Sequence, residues 1–166
     1  MNFRKATKED IESILEIISH AKEYMKKNGL TQWNENYPNR EIIVKDIENE
    51  IGYVLIKDFL IRGYLVIDFA EDEIYKNING AWKTSNKYVS IHRCALHKDL
   101  RGKGYGNYLF KFAEDLALKK EIYSLRIDTA PNNLVMKHLF EKNGFEYCGV
   151  VYIDGEKIAY EKVLKK

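Results

Sequence analysis

The chemistry of this chain is concentrated in Leu100-Arg101-Gly102-Lys103-Gly104-Tyr105-Gly106-Asn107. Three alternating glycines allow backbone angles that other residues avoid and let a ligand come close to main-chain N–H groups. A helix that starts directly after them adds unpaired N–H groups and the positive end of its dipole. Arg101 and Lys103 contribute full charges. The segment therefore reads as an anion cradle suited to a phosphate or pyrophosphate. Two familiar phosphate motifs do not fit. A P-loop places Ser or Thr directly after Gly-Lys, where this chain has Gly104 and Tyr105. The dinucleotide fingerprint needs a sixth-position glycine, and counting from Gly102 or Gly104 gives Asn107 or Leu109.

A cradle of this kind needs a strand before it and a helix after it. Tyr88–Leu96 reads as a strand, and Gly104–Lys119 as a helix with Leu109, Phe112, Ala113 and Leu116 on one face. Asn2–Lys5 reads as a short strand. Thr7-Lys8-Glu9-Asp10 carries the signature of a helix start, with an acid three residues after the cap. Ile11, Ile14, Leu15, Ile18, Ala21 and Met25 then recur at helical spacing up to a stop at Asn28-Gly29. Leu30–Pro38 is an aromatic loop and Arg40–Asn49 a second helix. Strands follow over Tyr53–Lys57 and Tyr64–Phe69, with a turn near Arg62-Gly63. Glu71–Asn86 is polar and irregular, interrupted by Ile74, Tyr75, Ile78 and Trp82. Tyr123–Thr129 is a strand and Asn133–Lys142 a helix. Phe145–Ile153 and Lys157–Leu164 form a hairpin around Asp154-Gly155. The order β-α-α-β-β-β-α-β-α-β-β predicts one α/β domain over residues 1–166, with a mixed sheet and at least one parallel pair.

Composition bounds the function. With 166 residues the chain can bury one sizeable core. Hydrophobic residues are 45% and charged residues 31% of the chain. That balance argues against disorder. A net charge of +2, with acids and bases interspersed, gives no basic stripe for nucleic acid. No apolar run approaches the roughly 18 residues of a membrane span, and the N-terminus lacks the apolar core of a secretion signal. Two cysteines, Cys94 and Cys148, are too few for a disulfide framework. These features together predict a reduced, cytoplasmic protein with neither nucleic-acid nor membrane partners.

Arg101-Gly102-Lys103-Gly104-Tyr105-Gly106 resembles the Arg/Gln-x-x-Gly-x-Gly/Ala acetyl-CoA loop of the GNAT N-acetyltransferase superfamily. Downstream, Asn133, Phe140 and Gly144-Phe145 resemble that family's Asn…Tyr-x-x-x-Gly-Phe pattern, with the spacing kept and Phe in place of Tyr. The element order matches over nearly the whole chain. The resemblance implies a mixed, mostly antiparallel sheet, flanked by helices and splayed open between the strand ending near Leu96 and the strand around Ile127. It implies acetyl-CoA as co-substrate, with no metal expected. Backbone groups of Cys94, Ala95 and Leu96 would meet the pantetheine arm, as an extended ligand pairs with a strand edge. Arg101, Gly102, Lys103, Gly104, Tyr105 and Gly106 would hold the pyrophosphate. Asn133 would cap the next helix and reach the pantetheine, and Phe140 would pack against the CoA arm.

Acetyl transfer to an amine needs a proton acceptor, stabilisation of the carbonyl oxygen and a departing thiolate. The family commonly uses direct attack in a ternary complex, so neither cysteine is needed as a nucleophile. Phe140 cannot donate a proton as the family's Tyr does. Tyr147 or Tyr105 could substitute, or the thiolate could leave unaided, since a thiol pKa near about 8.5 makes it a tolerable leaving group. Asp128 is the first choice of base, at the end of its strand and five positions before Asn133. It aligns with the acid of the Leu-Glu-Val-Arg stretch of ribosomal-protein acetyltransferases; a structural pairing with Arg126 or a loop amide is the other reading. Glu35, in the aromatic loop, is second, and His92 has a suitable intrinsic pKa. Gln32-Trp33-x-x-x-Tyr37-Pro38 resembles a pattern of a bacterial subgroup. Trp33, Tyr37 and His92 are therefore candidate acceptor contacts, with anchoring of the loop to the core as the alternative for the two aromatics. The acceptor is a small-molecule amine or a protein or peptide amine, and the chain is expected as a monomer or homodimer. The competing reading is a non-catalytic acyl-CoA-binding or sensing module.

Overall fold

A computed structural model describes residues 1–166. Eight strands and four helices follow in the order β1 (Asn2–Lys5), α1 (Ile11–Lys27), α2 (Arg40–Glu48), β2 (Gly52–Lys57), β3 (Leu60–Asp68), β4 (Asn79–Gly80), β5 (Val89–Leu96), α3 (Gly106–Lys119), β6 (Ser124–Thr129), α4 (Leu134–Lys142), β7 (Glu146–Tyr152) and β8 (Glu156–Val163). The strands form one open sheet in the order β1-β2-β3-β5-β6-β8-β7-β4. The β1/β2, β2/β3, β4/β7, β6/β8 and β7/β8 ladders are antiparallel and β5/β6 is parallel, which is an α/β fold of the expected class. No helix is long and apolar enough to cross a membrane. The chain divides into two compact units.

The first unit comprises residues 1–67 and 93–109. Its core forms where the apolar stripe of α1 (Ile14, Ile17, Ile18, Ala21) meets Val54, Tyr64 and Val66 of the sheet, together with Ile43 and Trp33. Each isoleucine fully withdrawn from water contributes about 1.5–3 kcal/mol. The start of α1 is fixed by Asp10, which accepts from the Thr7 N–H at 2.7 Å and holds Arg4 through two oxygens at 2.7 and 2.9 Å. Its end closes at Gly29, whose φ of 71° lets the Leu30 N–H reach the Met25 carbonyl at 2.8 Å. The β2–β3 turn differs from the sequence expectation. Asp58 and Phe59, with φ of 52° and 65°, make it, while Arg62 and Gly63 lie inside β3. Two successive left-handed residues give the twist that a two-residue hairpin requires, and this chain achieves it without the usual glycine.

The second unit comprises residues 68–92 and 110–166. Antiparallel pairing of β6 with β8 sets Asp128 opposite Ala159 and Arg126 opposite Glu161. β4 is an element that sequence reading leaves inside an irregular segment. It pairs with β7 at Gly80↔Gly149, and a Cβ on Gly80 would sit 2.2 Å from the Cys148 carbonyl oxygen, so two glycines meet where any side chain would collide. The buried face of α3 also differs from expectation: Leu109, Phe110, Ala113 and Ala117 are the buried positions, and Phe112 and Leu116 are half-buried. The parallel β5/β6 ladder takes in two residue pairs, Val89↔Leu125 and Ser90↔Arg126, although β5 runs on to Leu96 and β6 to Thr129.

Candidate functional site

In the first unit, β5 ends at Leu96 and a 3-10 turn over Lys98–Leu100 leads into the glycine segment. His97 caps that turn, its Nδ1 accepting from the Asp99 N–H at 3.2 Å. Gly102 and Gly104 then take φ of 70° and 83°, and a Cβ on either would meet nothing within 4 Å. The segment thus presents open backbone ahead of Gly106, the first residue of α3. Arg101 lies over the Tyr24 ring, 5.1 Å from its centroid, and its Nη2 is buried with no hydrogen-bond partner. Burial moves the Arg101 pKa down, yet a guanidinium stays charged at any working pH. A buried cationic N–H without an acceptor is costly, and an anion is the partner such a group lacks. Lys103 is exposed. The residues present therefore fit a phosphate-bearing ligand.

Cys94, Ala95 and Leu96 lie past the last β5/β6 residue pair. Burial pushes the Cys94 thiol up to about 12, which leaves it protonated and unfit as a nucleophile. Arg93, just before them, has φ of 49°, a bulge-like kink within the strand. Its guanidinium grips Asp46 through Nε at 2.9 Å and Nη2 at 2.5 Å, and donates to the Tyr37 hydroxyl at 3.0 Å. Tyr64 adds its hydroxyl to Asp46 at 2.7 Å. Tyr37 is consequently an anchor for the α1–α2 loop through Arg93. Trp33 is buried within the α1 core cluster, which favours anchoring of the loop over acceptor contact, the two readings its sequence position allows. Glu35 is exposed on that loop.

In the second unit Asp128 is partly accessible at the end of β6. The Tyr75 hydroxyl donates to its Oδ2 at 2.6 Å. Burial raises the Asp128 carboxyl above the ordinary carboxylate range, and the Tyr75 hydrogen bond partly opposes this. The same surroundings push the Tyr75 phenol well up, so it stays a donor. His92 packs 6.1 Å from the Tyr75 ring, with Nε2 at 3.1 Å from Ser90 Oγ and 3.5 Å from Asp72 Oδ2. A half-hidden carboxylate with a raised pKa and one fixed phenol donor can take up a proton from a neighbouring group.

Pairing of Asp128 with Arg126, part of the alternative reading, does not occur. Arg126 donates to Glu161 at 2.9 Å and to the Thr84 carbonyl at 2.7 Å, and its guanidinium is clamped between Trp82 and Tyr88 at 4.3 and 4.0 Å. Buried Glu161 also accepts from Lys83, Thr84 and Ser124. The cavity lined by Tyr75, Trp82, Tyr88 and Arg126 is therefore no free aromatic cage, because its rings already hold a cation.

Asn133 is buried and caps α4, its Oδ1 accepting from the Met136 N–H at 3.2 Å. Phe140 has no accessible surface. It sits among Phe110, Phe145 and Tyr160 at centroid distances of 5.9, 5.9 and 5.3 Å, so its side chain is core and does not offer the cofactor contact expected of it. Tyr147 is more than half exposed, with its ring edge-on to Tyr160. Sequence reading passes over Tyr75, Asp46 and Arg93. The signal for Tyr75 is present: an apolar residue interrupting a polar segment has to be buried against something.

Residues 9–145 match the model of the acetyltransferase (GNAT) family. A streptothricin acetyltransferase of Escherichia coli is 31% identical over 84 residues, which take in 49% of this chain and 47% of that protein, so the chain spans about half the length of that relative. A GNAT-family acetyltransferase of Streptococcus agalactiae is 32% identical with a TM-score of 0.91, over 99% of this chain and 96% of that one. A Salmonella typhimurium protein, solved with its cofactor acetyl-CoA, shares the fold at a TM-score of 0.70 and 17% identity, over 99% and 94% of the two chains.

Proposed function

The chain belongs to the acetyltransferase (GNAT) family, and from that premise we propose that it is an acyltransferase, which moves an acetyl group from acetyl-CoA to a primary amine by direct attack in a ternary complex. The observation that carries this reading is Asp128, a partly accessible carboxylate with a raised pKa and a fixed donor in Tyr75. The amine nitrogen bonds to the thioester carbonyl carbon, the C–S bond breaks, and the proton lost by nitrogen passes to Asp128 directly or through water. Raising the base's pKa brings it nearer that of the proton it must take. CoA departs as a thiolate without a dedicated acid, in keeping with Phe140 being buried core.

Arg101 and the backbone from Gly102 to Gly106 hold the pyrophosphate. Support comes from the unpartnered Nη2 and from the open space over Gly102 and Gly104. The backbone of Cys94, Ala95 and Leu96 pairs with the amides of the pantetheine arm. Asn133 adds a contact to that arm beside its role as cap. His92 and Glu35 face the acceptor, which is an amine-bearing small molecule or peptide. The name of the Escherichia coli relative makes streptothricin one acceptor to try. The test is thiol release from acetyl-CoA across a panel of streptothricin, polyamines, amino acids and peptide N-termini. Saturable, amine-dependent release supports the reading, and release that no amine accelerates overturns it.

A further inference from the structure

Glu16 and His20 stand four residues apart on α1 and so share one helix face. His97, the cap of the turn that leads into the glycine segment, packs against that face with its ring edge-on to His20, centroids 5.2 Å apart. A ligating atom of each of the three residues lies within 4.8 Å of the other two, and Glu16 Oε1 is 3.7 Å from His97 Nε2. His20 Nδ1 is buried and has no hydrogen-bond partner. Buried polar atoms without partners are rare, and one on a member of a His-His-Glu group needs an explanation.

We propose that Glu16, His20 and His97 form a binding site for a divalent transition-metal ion, best suited to zinc. Two imidazole nitrogens and one carboxylate oxygen are a zinc donor set that leaves one position for water. Ligands about 2.1 Å from a tetrahedral ion lie roughly 3.4 Å apart, so atoms separated by as much as 4.8 Å must close by up to about 1.4 Å. Glu16, exposed and rotatable, can supply most of that movement, and its exposure gives the ion a path in. His97 Nδ1 now accepts the Asp99 N–H, which puts the ring proton on Nε2. Binding the ion at Nε2 shifts the ring proton to Nδ1, which gives up the bond from the Asp99 N–H and donates instead to Asp99 Oδ2, 3.5 Å away. Arg62 is close enough to His97 to oppose a cation, and the two carboxylates, Glu16 and Asp99, offset it. The bound ion would pin the Lys98–Leu100 turn to α1, directly before Arg101. This goes beyond the acetyl-transfer reading and does not depend on it. It also departs from the expectation of no metal, since His20 and His97 are far apart in sequence and are brought together by the fold.

The test is calorimetric titration of the chelator-stripped full chain with zinc chloride, with magnesium chloride as the control. One zinc per chain is expected, with no saturable binding of magnesium. Glu16→Gln and His20→Gln should each weaken zinc at least about tenfold, the loss that removal of an outer partner alone can cause. His138→Gln, on an exposed residue outside the group, should leave binding unchanged. On the unmodified chain, the imidazole NMR signals of His20 and His97 should move with zinc while those of His92 and His138 stay. Absence of saturable zinc binding, survival of that binding in both Glu16→Gln and His20→Gln, or shifts confined to His92 or His138 would each overturn the proposal.

Discussion

The Tyr75 hydroxyl donates to Asp128 Oδ2 at 2.6 Å, and this bond sets both the orientation and the acidity of the carboxylate. Hydrogen bonding to the charged form holds the pKa down against the burial that raises it. Tyr75→Phe removes the donor, so the Asp128 pKa climbs further. The acid limb of the pH–rate profile should move to higher pH, and stability should fall by about 1–3 kcal/mol because a buried acceptor loses its partner. Urea unfolding and a pH–rate profile on the same variant check both effects; an unmoved limb would detach Tyr75 from the chemistry.

At the glycine segment, Arg101→Ala with Lys103→Ala should weaken acetyl-CoA by about 1.5–3 kcal/mol for each charge-assisted bond lost, read by calorimetry. Gly104→Val should do worse. Gly104 has φ of 83°. A β-branched residue is strained there, and its side chain fills the space that the backbone leaves open. Unchanged affinity in the double variant would remove the pyrophosphate from this place.

Arg93→Ala tests the anchor of the aromatic loop. It leaves Asp46 buried and facing only Tyr64, and breaking a buried pair by removing one partner costs about 3–5 kcal/mol. Arg93→Lys should recover little, because a lysine cannot span both carboxylate oxygens and the Tyr37 hydroxyl together. Thermal unfolding separates the two outcomes: a melting temperature near the parent's in Arg93→Ala would show that the loop is held by Trp33 packing alone.

Helix boundaries are legible in the sequence because they rest on local signals. The acid at position 10, the Asn28-Gly29 stop and the cap Asn133 all act within a turn or so of chain. Sequence reading misplaces the β2–β3 turn because the eye goes to glycine, while the fold spends Gly63 within a strand and bends at Asp58-Phe59. β4 is illegible since two residues carry no period, and its reason for existing, the Gly80–Gly149 approach, spans the sequence.

The glycine segment can be read from its glycines and bases, and Asp128 from its place at a strand end. The partners cannot. Tyr75 reaches Asp128, Arg93 reaches Asp46 and His97 meets His20 through contacts that only tertiary packing makes. Phe140 and Trp33 show the opposite side of this limit. An aromatic at a family position invites a binding role, whereas burial assigns both to the core.

Asp128→Asn is the most direct test of the account, because activity and stability should move apart. A carboxyl raised in the folded chain favours its protonated form there. Its contribution to stability is therefore full below the unfolded value of about 3.9 and is lost as pH rises through the folded value. At neutral pH the ionised side chain is a cost, and Asn, which can still accept from Tyr75, removes it. The variant should unfold at the parent's temperature or above and bind acetyl-CoA with an unchanged dissociation constant. Its kcat on the best amine should be about 10²–10⁴-fold lower, the range for loss of a general base, with the acid limb of the pH–rate profile gone. A variant with the parent's kcat and the parent's pH profile would contradict the account and pass the proton to Glu35 or to solvent.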